Sequence, residues 1–281
     1  MVMATIENDF LKVIVNPLGG TLSSVYFKKH DKEILYQADD GGWGKQDLVC
    51  FPFIGRSNDY FINGKLFHCD SNHGFLQNLL GEIKEYTGNS VSIVFRDNEA
   101  TRKVYPFSFK ITLTVAVESN SLLRRYRIEN KSEGKMCFSI GDHAAYKAVF
   151  GKSILHLGES GEYLPMNGLL LSLEAAKLPY SGDILLTKSL FENTDTIVLR
   201  NPRHPFSLDN GNGVNVSYHF RSPYIALWSP SKLGDFLCVE PWWGLSPYEN
   251  MPLDMAKREG VNLCKDELSF EERISYRSYE E

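Results

Sequence analysis

The strongest constraint on this sequence is the alternation of apolar and polar residues over short segments that end in turn residues. In the clearest example, residues 107–117, an apolar residue recurs at every second position. Side chains alternate between the two faces of a β-strand, so this period predicts a strand with one buried face. Similar or β-branched segments occur at residues 11–15, 91–95, 122–130 and 217–228. The sequence therefore predicts a protein built mainly from strands.

Turn residues separate these segments at intervals typical of antiparallel sheets. Asn63-Gly64 lies between two apolar segments and predicts a hairpin, because both residues tolerate a positive φ. Helical periodicity is weak, and only residues 172–177 predict a turn or two of helix before Pro179. No linker, repeat or low-complexity segment divides the 281 residues. We therefore expect an all-β fold, a single-domain antiparallel β-sandwich over residues 1–281.

Composition and charge exclude several classes of protein. With a net charge of −5, the chain has no basic field for nucleic acid. It has no apolar run long enough to span a membrane, and its N-terminus lacks the pattern of a secretion signal, so we expect a cytoplasmic protein without a membrane partner. The five cysteines are scattered without a Cys-x-x-Cys motif and are expected to be buried free thiols. Neither they nor the seven histidines have the spacing of a metal site.

Glu240 is the first candidate for chemistry. It follows the apolar residues 236–239 and precedes Pro241, Trp242 and Trp243. A carboxylate is rarely buried without a partner, because removing its charge from water is costly. A Glu at the end of a strand beside indoles suggests a proton-transfer group in a pocket. Taken alone, a solvated Glu at a strand end is the simpler interpretation.

Two histidines and an arginine strengthen the case for a site. Arg56 follows Gly55 and offers planar donors to hydroxyl oxygens, although an Arg that pairs with a loop carboxylate fits this segment equally well. His73 precedes a glycine, and His143 lies two residues after the glycine that ends a predicted strand. A lone His is more often structural than catalytic. Two such loops together with Glu240 supply an acid and a base that titrate near neutrality.

Taken together, four motifs resemble the signature of the aldose 1-epimerase (galactose mutarotase) family, and the chain length resembles its shorter bacterial LacX-type branch. The resemblance implies a large antiparallel β-sandwich. It also implies a reaction without a cofactor, in which the α and β anomers of a free aldose interconvert through the open-chain aldehyde. The motifs are Pro52-x-x-Gly55-Arg56, His73-Gly74-Phe75, Gly141-x-His143 and Glu240-Pro241-Trp242-x-Gly244.

The resemblance also implies roles for individual residues. Glu240 would remove the proton of the anomeric hydroxyl, and His143 would protonate the ring oxygen. His73 and Arg56 would hold the ring oxygen and the sugar hydroxyls. A sugar also needs an apolar platform for its C–H face, and we expect Trp242 or Trp243 to supply it while the other packs in the core. The expected partner is a monosaccharide, bound by a monomer or a homodimer.

Asn72 and Tyr146 complete the predicted substrate-binding set. Tyr146 replaces the Phe that the family usually has, and Ala144 replaces a Pro. These two departures leave open the alternative that the protein binds a sugar without catalysing its conversion. A phosphorylated hexose is another possible substrate, which would give a use to the basic run at residues 124–127, otherwise interpreted as a solvated strand face. A glycoside hydrolase would need a second well-placed carboxylate, which the sequence does not offer.

Overall fold

The computed structural model describes residues 2–38, 42–164, 166–167, 170–173, 178–180, 182–194, 196–230 and 234–279. Within these ranges strands predominate, and the all-β prediction is confirmed. The helix predicted at residues 172–177 falls largely on residues 174–177, outside the described ranges. None of the described helices has the length and apolar character needed to cross a membrane. The described helical segments are the α-helix Glu99–Val104 and the 3-10 helices Lys28–His30, Leu76–Asn78, Lys188–Phe191 and Met255–Lys257.

The largest sheet, called the large sheet below, has nine antiparallel strands among the described residues. Its strand Phe109–Glu118 buries every second side chain, as the alternation in the sequence predicts. The order across the sheet is Asp183–Leu185, Ile154–His156, Phe206–Asp209, Val214–His219, Glu267–Ser278, Ser121–Asn130, Phe109–Glu118, Ser90–Arg96 and Glu82–Tyr86.

A second antiparallel sheet, called the site sheet below, carries the residues of the candidate site. Every residue of its strand Phe236–Trp243 is buried. The strand Ala144–Lys147 pairs with Phe236–Trp243 beside the main path of the sheet. That path is Leu178–Tyr180, Gly161–Leu164, Thr196–Arg200, Tyr224–Trp228, Phe236–Trp243, Ile140–Asp142 and Val49–Cys50.

Smaller sheets complete the described fold. Asn63 and Gly64, with φ of 50° and 75°, form the turn of the predicted hairpin. The N-terminal sheet is Ala4–Glu7, Leu11–Asn16, Thr21–Phe27 and Lys32–Glu33. The two-stranded pairs are Asp59–Ile62 with Lys65–His68, Met136–Phe138 with Asn262–Cys264, and Met166–Asn167 with Leu170–Leu171.

One extensive apolar core unites the N-terminal sheet, the large sheet and the site sheet. Val13, Val115 and Val239, one from each sheet, belong to the same cluster of buried side chains. Burial of this apolar surface is the main force that holds the sheets together. All five cysteines are buried and free, as expected from their spacing.

The basic run at residues 124–127 is not a solvated face throughout. Arg125 and Arg127 are exposed and pair with acidic residues of the neighbouring strand Glu267–Ser278. Arg124, by contrast, is 1% exposed. The prediction of a solvated basic face is therefore wrong for Arg124, because strand alternation turns its side chain into the interior.

Candidate active site

Strand pairing brings His143 and Glu240 together although they are far apart in the sequence. Ala144 pairs with Val239, so the preceding residue, His143, lies opposite Glu240. Opposed residues of antiparallel strands project from the same face, with Cβ atoms about 5 Å apart. The Nε2 atom of His143 accordingly lies 3.2 Å from Oε1 of Glu240.

Burial controls the protonation of this pair. Burial raises the pKa of Glu240 well above its usual 4.5, and a hydrogen bond that Trp242 Nε1 donates to Oε2 at 3.1 Å opposes this shift. Burial also lowers the pKa of His143 well below its usual 6.5, with a smaller contribution from His73. The pair therefore favours one proton, held as a carboxylic acid that faces a neutral imidazole. Transfer of that proton across the 3.2 Å contact gives a carboxylate and an imidazolium.

Two indoles surround the ring of His143. Trp43 stacks on it with ring centroids 4.8 Å apart, and Trp228 meets it edge-on at 5.3 Å. The backbone N–H of His143 donates to the carbonyl of Leu48 at 2.8 Å. Sequence reasoning missed both tryptophans: Trp43 lies in a segment without periodicity, and Trp228 ends an aromatic strand that resembles ordinary core.

His73 is a neutral hydrogen-bond donor beside the pair. The backbone N–H of Gly55 donates to Nδ1 of His73 at 3.2 Å, so Nδ1 is the acceptor and the ring proton is on Nε2. Burial lowers the pKa of His73 to about 4. Its ring lies perpendicular to that of His143, with centroids 5.2 Å apart.

A tight backbone approach holds His73 in place. His73 has a φ of 59° and is followed by Gly74 with a φ of 73°. A Cβ atom on Gly74 would lie 2.1 Å from the carbonyl oxygen of Phe51. Only glycine allows this approach, which explains why the sequence places glycine directly after the histidine.

A cavity of about 720 Å³ opens at the His143–Glu240 pair. Arg56 and Asn72 are exposed at its wall, whereas Trp242 is buried. Glu240 is the one carboxylate that lines the cavity within the described part of the chain. Six of the seven predicted site residues are brought together here: Arg56, Asn72, His73, His143, Glu240 and Trp242.

Tyr146 does not belong to this group, and its prediction as a substrate-binding residue is corrected. It is three positions after His143 on an extended segment, so its side chain projects from the opposite face. Tyr146 is 1% exposed and packs edge-on against Tyr218 in the main core. The same alternation separates Trp242, at the cavity, from Trp243, which packs against Phe270 in the core.

One further side chain, Cys238, lies next to the pair. Possible ligand atoms of Cys238, His143 and Glu240 lie within 4.8 Å of one another, and no other group of this kind occurs among the described residues. Burial raises the pKa of the Cys238 thiol well above its usual 9.0, and Glu240 adds to this shift. Thiols bind metal as thiolates, so these surroundings favour a protonated thiol beside an acid–base pair.

Comparisons with known proteins identify relatives of this chain and of its fold. A family model described as Aldose 1-epimerase matches residues 3–267. The chromosomal LacX protein of Lactococcus lactis subsp. lactis is 26% identical over 267 residues, which cover 86% of this chain and 87% of that protein. A galactose mutarotase related enzyme from Lactobacillus acidophilus has a TM-score of 0.91 at 27% identity, covering 99% of this chain and 98% of its own. A galactose mutarotase-like protein from Lactobacillus casei has the same fold, with a TM-score of 0.85 at 21% identity and coverage of 98% and 100%.

Proposed function

This chain belongs to the aldose 1-epimerase family of isomerases, and we propose that it interconverts the α and β anomers of an aldose by opening and closing the pyranose ring. The observation that carries this proposal is the buried contact of 3.2 Å between His143 and Glu240 at a cavity. This contact places one acid and one base side by side, and opening the ring of a hemiacetal uses one of each.

Two coupled proton transfers account for the reaction. The Glu240 carboxylate removes the proton of the anomeric hydroxyl as the C1–O5 bond breaks and the C1–O1 bond becomes a carbonyl. The electron pair of the broken bond goes to O5, which takes a proton from the His143 imidazolium. Rotation about C1–C2 then presents the other face of the aldehyde. Closure reverses both transfers and restores the carboxylate and the imidazolium.

The protonation preferences of the pair suit this cycle. After ring opening, Glu240 is a neutral acid and His143 a neutral base. Burial favours these same neutral forms, because it raises the pKa of Glu240 and lowers that of His143. The charged and neutral forms contain the same single proton. The cycle therefore needs no net exchange of protons with solvent.

The remaining cavity residues bind the sugar in this proposal. The Nε2–H of His73 donates to the ring oxygen and stays neutral, since its pKa is about 4. Arg56 and Asn72 contact sugar hydroxyls, and the indole of Trp242 lies under the C–H face. The hydrogen bond from Trp242 to Glu240 also leaves Oε1 as the oxygen next to His143.

Two alternatives lose support. The departures at Ala144 and Tyr146 favoured binding without turnover, but both side chains lie in the main core rather than at the cavity. Glycoside hydrolysis normally uses two carboxyl groups on either side of the scissile bond. Glu240 is the one carboxylate among the described cavity residues.

Mutarotation of freshly dissolved sugars tests the proposal. Polarimetry or NMR of α-glucose and α-galactose should show faster approach to the anomeric equilibrium with the protein than in buffer alone. Binding of either sugar without any acceleration would contradict the proposal and restore the binding-only alternative.

A phosphorylated hexose is a second candidate substrate, favoured by two cations at the cavity. Lys45 and Arg56 both line it and are exposed, and Lys45 Nζ donates to Gln77 Oε1 at 2.6 Å. A phosphate group pairs well with such cations.

If this candidate is right, kcat/KM is higher for glucose 6-phosphate than for glucose, and Lys45→Met removes much of that preference. The exposed Lys84, outside the cavity lining, provides the control Lys84→Met. Equal kcat/KM for the two sugars would reject the candidate.

A further inference from the structure

A buried ionic cluster lies near His143. We define it by four side chains that are at most 2% exposed: Arg124, Asp47, Asp142 and Glu272. Arg124 Nη2 lies 2.7 Å from Asp142 Oδ1 and 3.1 Å from Asp47 Oδ2. Arg124 Nε lies 3.3 Å from Glu272 Oε1. One guanidinium therefore contacts three carboxyl groups in the interior.

The cluster connects the two main sheets. Arg124 and Glu272 are directly paired residues of the large sheet. Asp142 ends a strand of the site sheet, and Asp47 lies shortly before the edge strand that pairs with it. The Arg124 side chain thus reaches from one sheet to the other through the core, where contacts between two sheets are usually made by apolar side chains.

Both carboxylates on the side of the site sheet are adjacent to the backbone that holds His143. Asp142 immediately precedes His143. Asp47 immediately precedes Leu48, whose carbonyl accepts the backbone N–H of His143 at 2.8 Å. Arg124 does not contact His143, whose side chain lies on the opposite face of the sheet from that of Asp142. One guanidinium is therefore paired with the carboxylates next to both the donor and the acceptor of this hydrogen bond.

Stability alone does not explain this arrangement. Removing four ionisable groups from water is costly, and well-packed apolar residues commonly stabilise a fold as well or better. Burial raises the pKa of Glu272 well above its usual 4.5, and Asp142 raises it further. Burial also raises the pKa of Asp142, against the lowering effect of Arg124. The cluster is thus a costly feature located directly behind a proposed catalytic residue.

We propose that Arg124 is a positioning residue that, through Asp142 and Asp47, fixes the backbone of His143 so that its imidazole meets Glu240. This inference rests on the proposed function of the His143–Glu240 pair. Geometry at the reacting atoms is worth much in catalysis, since a displacement of about 1 Å costs roughly 100-fold in rate. Arg124 acts on the turnover step and not on binding of the sugar.

The substitution Arg124→Lys tests the proposal, with Arg125→Lys as its matched control. Lysine keeps the buried charge but lacks the planar fork that contacts three carboxyl groups. We expect kcat to fall roughly 10-fold to 100-fold while KM changes less than about 3-fold. Arg125 is exposed and paired with Glu271, so the control should retain wild-type kcat. An unchanged kcat in a folded Arg124→Lys variant would overturn the proposal.

A second variant decides the matter if Arg124→Lys does not fold. Tyr126 donates its hydroxyl to Asp142 Oδ1 at 2.5 Å, and Tyr126→Phe removes this bond without changing any charge. We expect kcat to fall about 3-fold to 10-fold with KM unchanged. Wild-type kcat in this variant would also count against the cluster as a positioning device.

An NMR readout separates failure of this inference from failure of the proposed function. If the wild-type protein is inactive on every sugar, the proposed function fails, but the ¹⁵N imidazole signals of His143 still report its position. They should shift or broaden in Arg124→Lys and Tyr126→Phe and stay unchanged in Arg125→Lys. Signals identical to wild type in both Arg124→Lys and Tyr126→Phe would overturn the positioning role.

Discussion

At the residue scale, the proposed chemistry depends on one proton shared by two buried side chains. His143 and Glu240 are 7% and 2% exposed, and each would be costly to charge alone. Their contact makes the ion pair accessible from the neutral pair by one short transfer. If the two side chains were fully solvated, each would titrate independently of the other, and they would not share one proton.

Glu240→Gln is the most direct test of the base. We expect the rate of mutarotation to fall roughly 10²- to 10⁴-fold, because the amide accepts no proton. Stability provides the control. A raised pKa means that the neutral acid stabilises the fold at low pH, and this contribution is lost as pH rises through the folded pKa. The variant cannot ionise, so its melting temperature relative to wild type should increase with pH. A variant with full activity would show that Glu240 is not the base.

The pH dependence of kcat/KM should be bell-shaped and belong to the pair as a unit. Activity is lost on the acid side when the pair takes up a second proton, and on the alkaline side when it loses its only one. Burial lowers the pKa of His143, so the acid limb should lie below pH 6.5. Burial raises the pKa of Glu240, so the alkaline limb should lie above pH 4.5. An acid limb at or above pH 6.5 would contradict this assignment.

The sequence was sufficient to nominate most of the site at this scale. Glycine next to a polar residue nominates Arg56 and His73, and a glycine two residues before His143 nominates that residue. The prediction for Tyr146 rests on its replacing the family's usual Phe, and it is wrong because strand alternation turns this side chain into the main core. Trp43 was missed because its loop has no periodicity from which a contact can be inferred.

At the element scale, the strand Phe236–Trp243 organises the site. Alternation places Cys238, Glu240 and Trp242 on one face and Trp243 on the other. That division was predictable from the sequence. The pairing of this strand with residues 140–147 was not, because hydrophobic patterns identify strands but not their partners. The meeting of His143 with Glu240 comes from that register.

Substitution of Gly74 tests the tight approach beside His73, with Gly64 as the matched control. Both glycines have a φ near 75°, at 73° and 75°, but only Gly74 lacks room for a Cβ atom. Gly64→Ala should cost about 1 kcal/mol from backbone strain alone, whereas Gly74→Ala should cost roughly 1–3 kcal/mol more and reduce activity. Urea unfolding measures both. Equal losses in the two variants would show that the carbonyl of Phe51 can move away.

At the scale of the whole molecule, we propose that residues 1–281 form one cooperative domain. The strand Glu267–Ser278, near the C-terminal end, pairs with Ser121–Asn130 and Val214–His219. The N-terminal sheet shares its core with both larger sheets. Separation of these sheets would therefore expose apolar surface on both sides.

This arrangement predicts a single thermal unfolding transition. The calorimetric and van't Hoff enthalpies should agree, because no part of the core can unfold alone without exposing the rest. Differential scanning calorimetry measures both enthalpies. Two separated transitions would instead divide the chain into independent units.

The sequence predicted the architecture more fully than it predicted which charged residues are buried. Alternation over residues 107–117 and the Asn63-Gly64 turn were enough to indicate an antiparallel sandwich. The burial of Arg124 was not predicted, because a cation amid basic neighbours normally lies in water and its partners come from distant strands. Pairing of distant residues is the information that a single sequence does not display.

The most direct test of the central claim is a crystal structure of the Glu240→Gln variant with a bound hexose. The account predicts that the anomeric hydroxyl lies within hydrogen-bonding distance of the side chain at position 240, and that the ring oxygen of the same sugar is in reach of His143 and His73. A sugar whose anomeric carbon lies away from His143 and position 240, with its other end toward them, would contradict it.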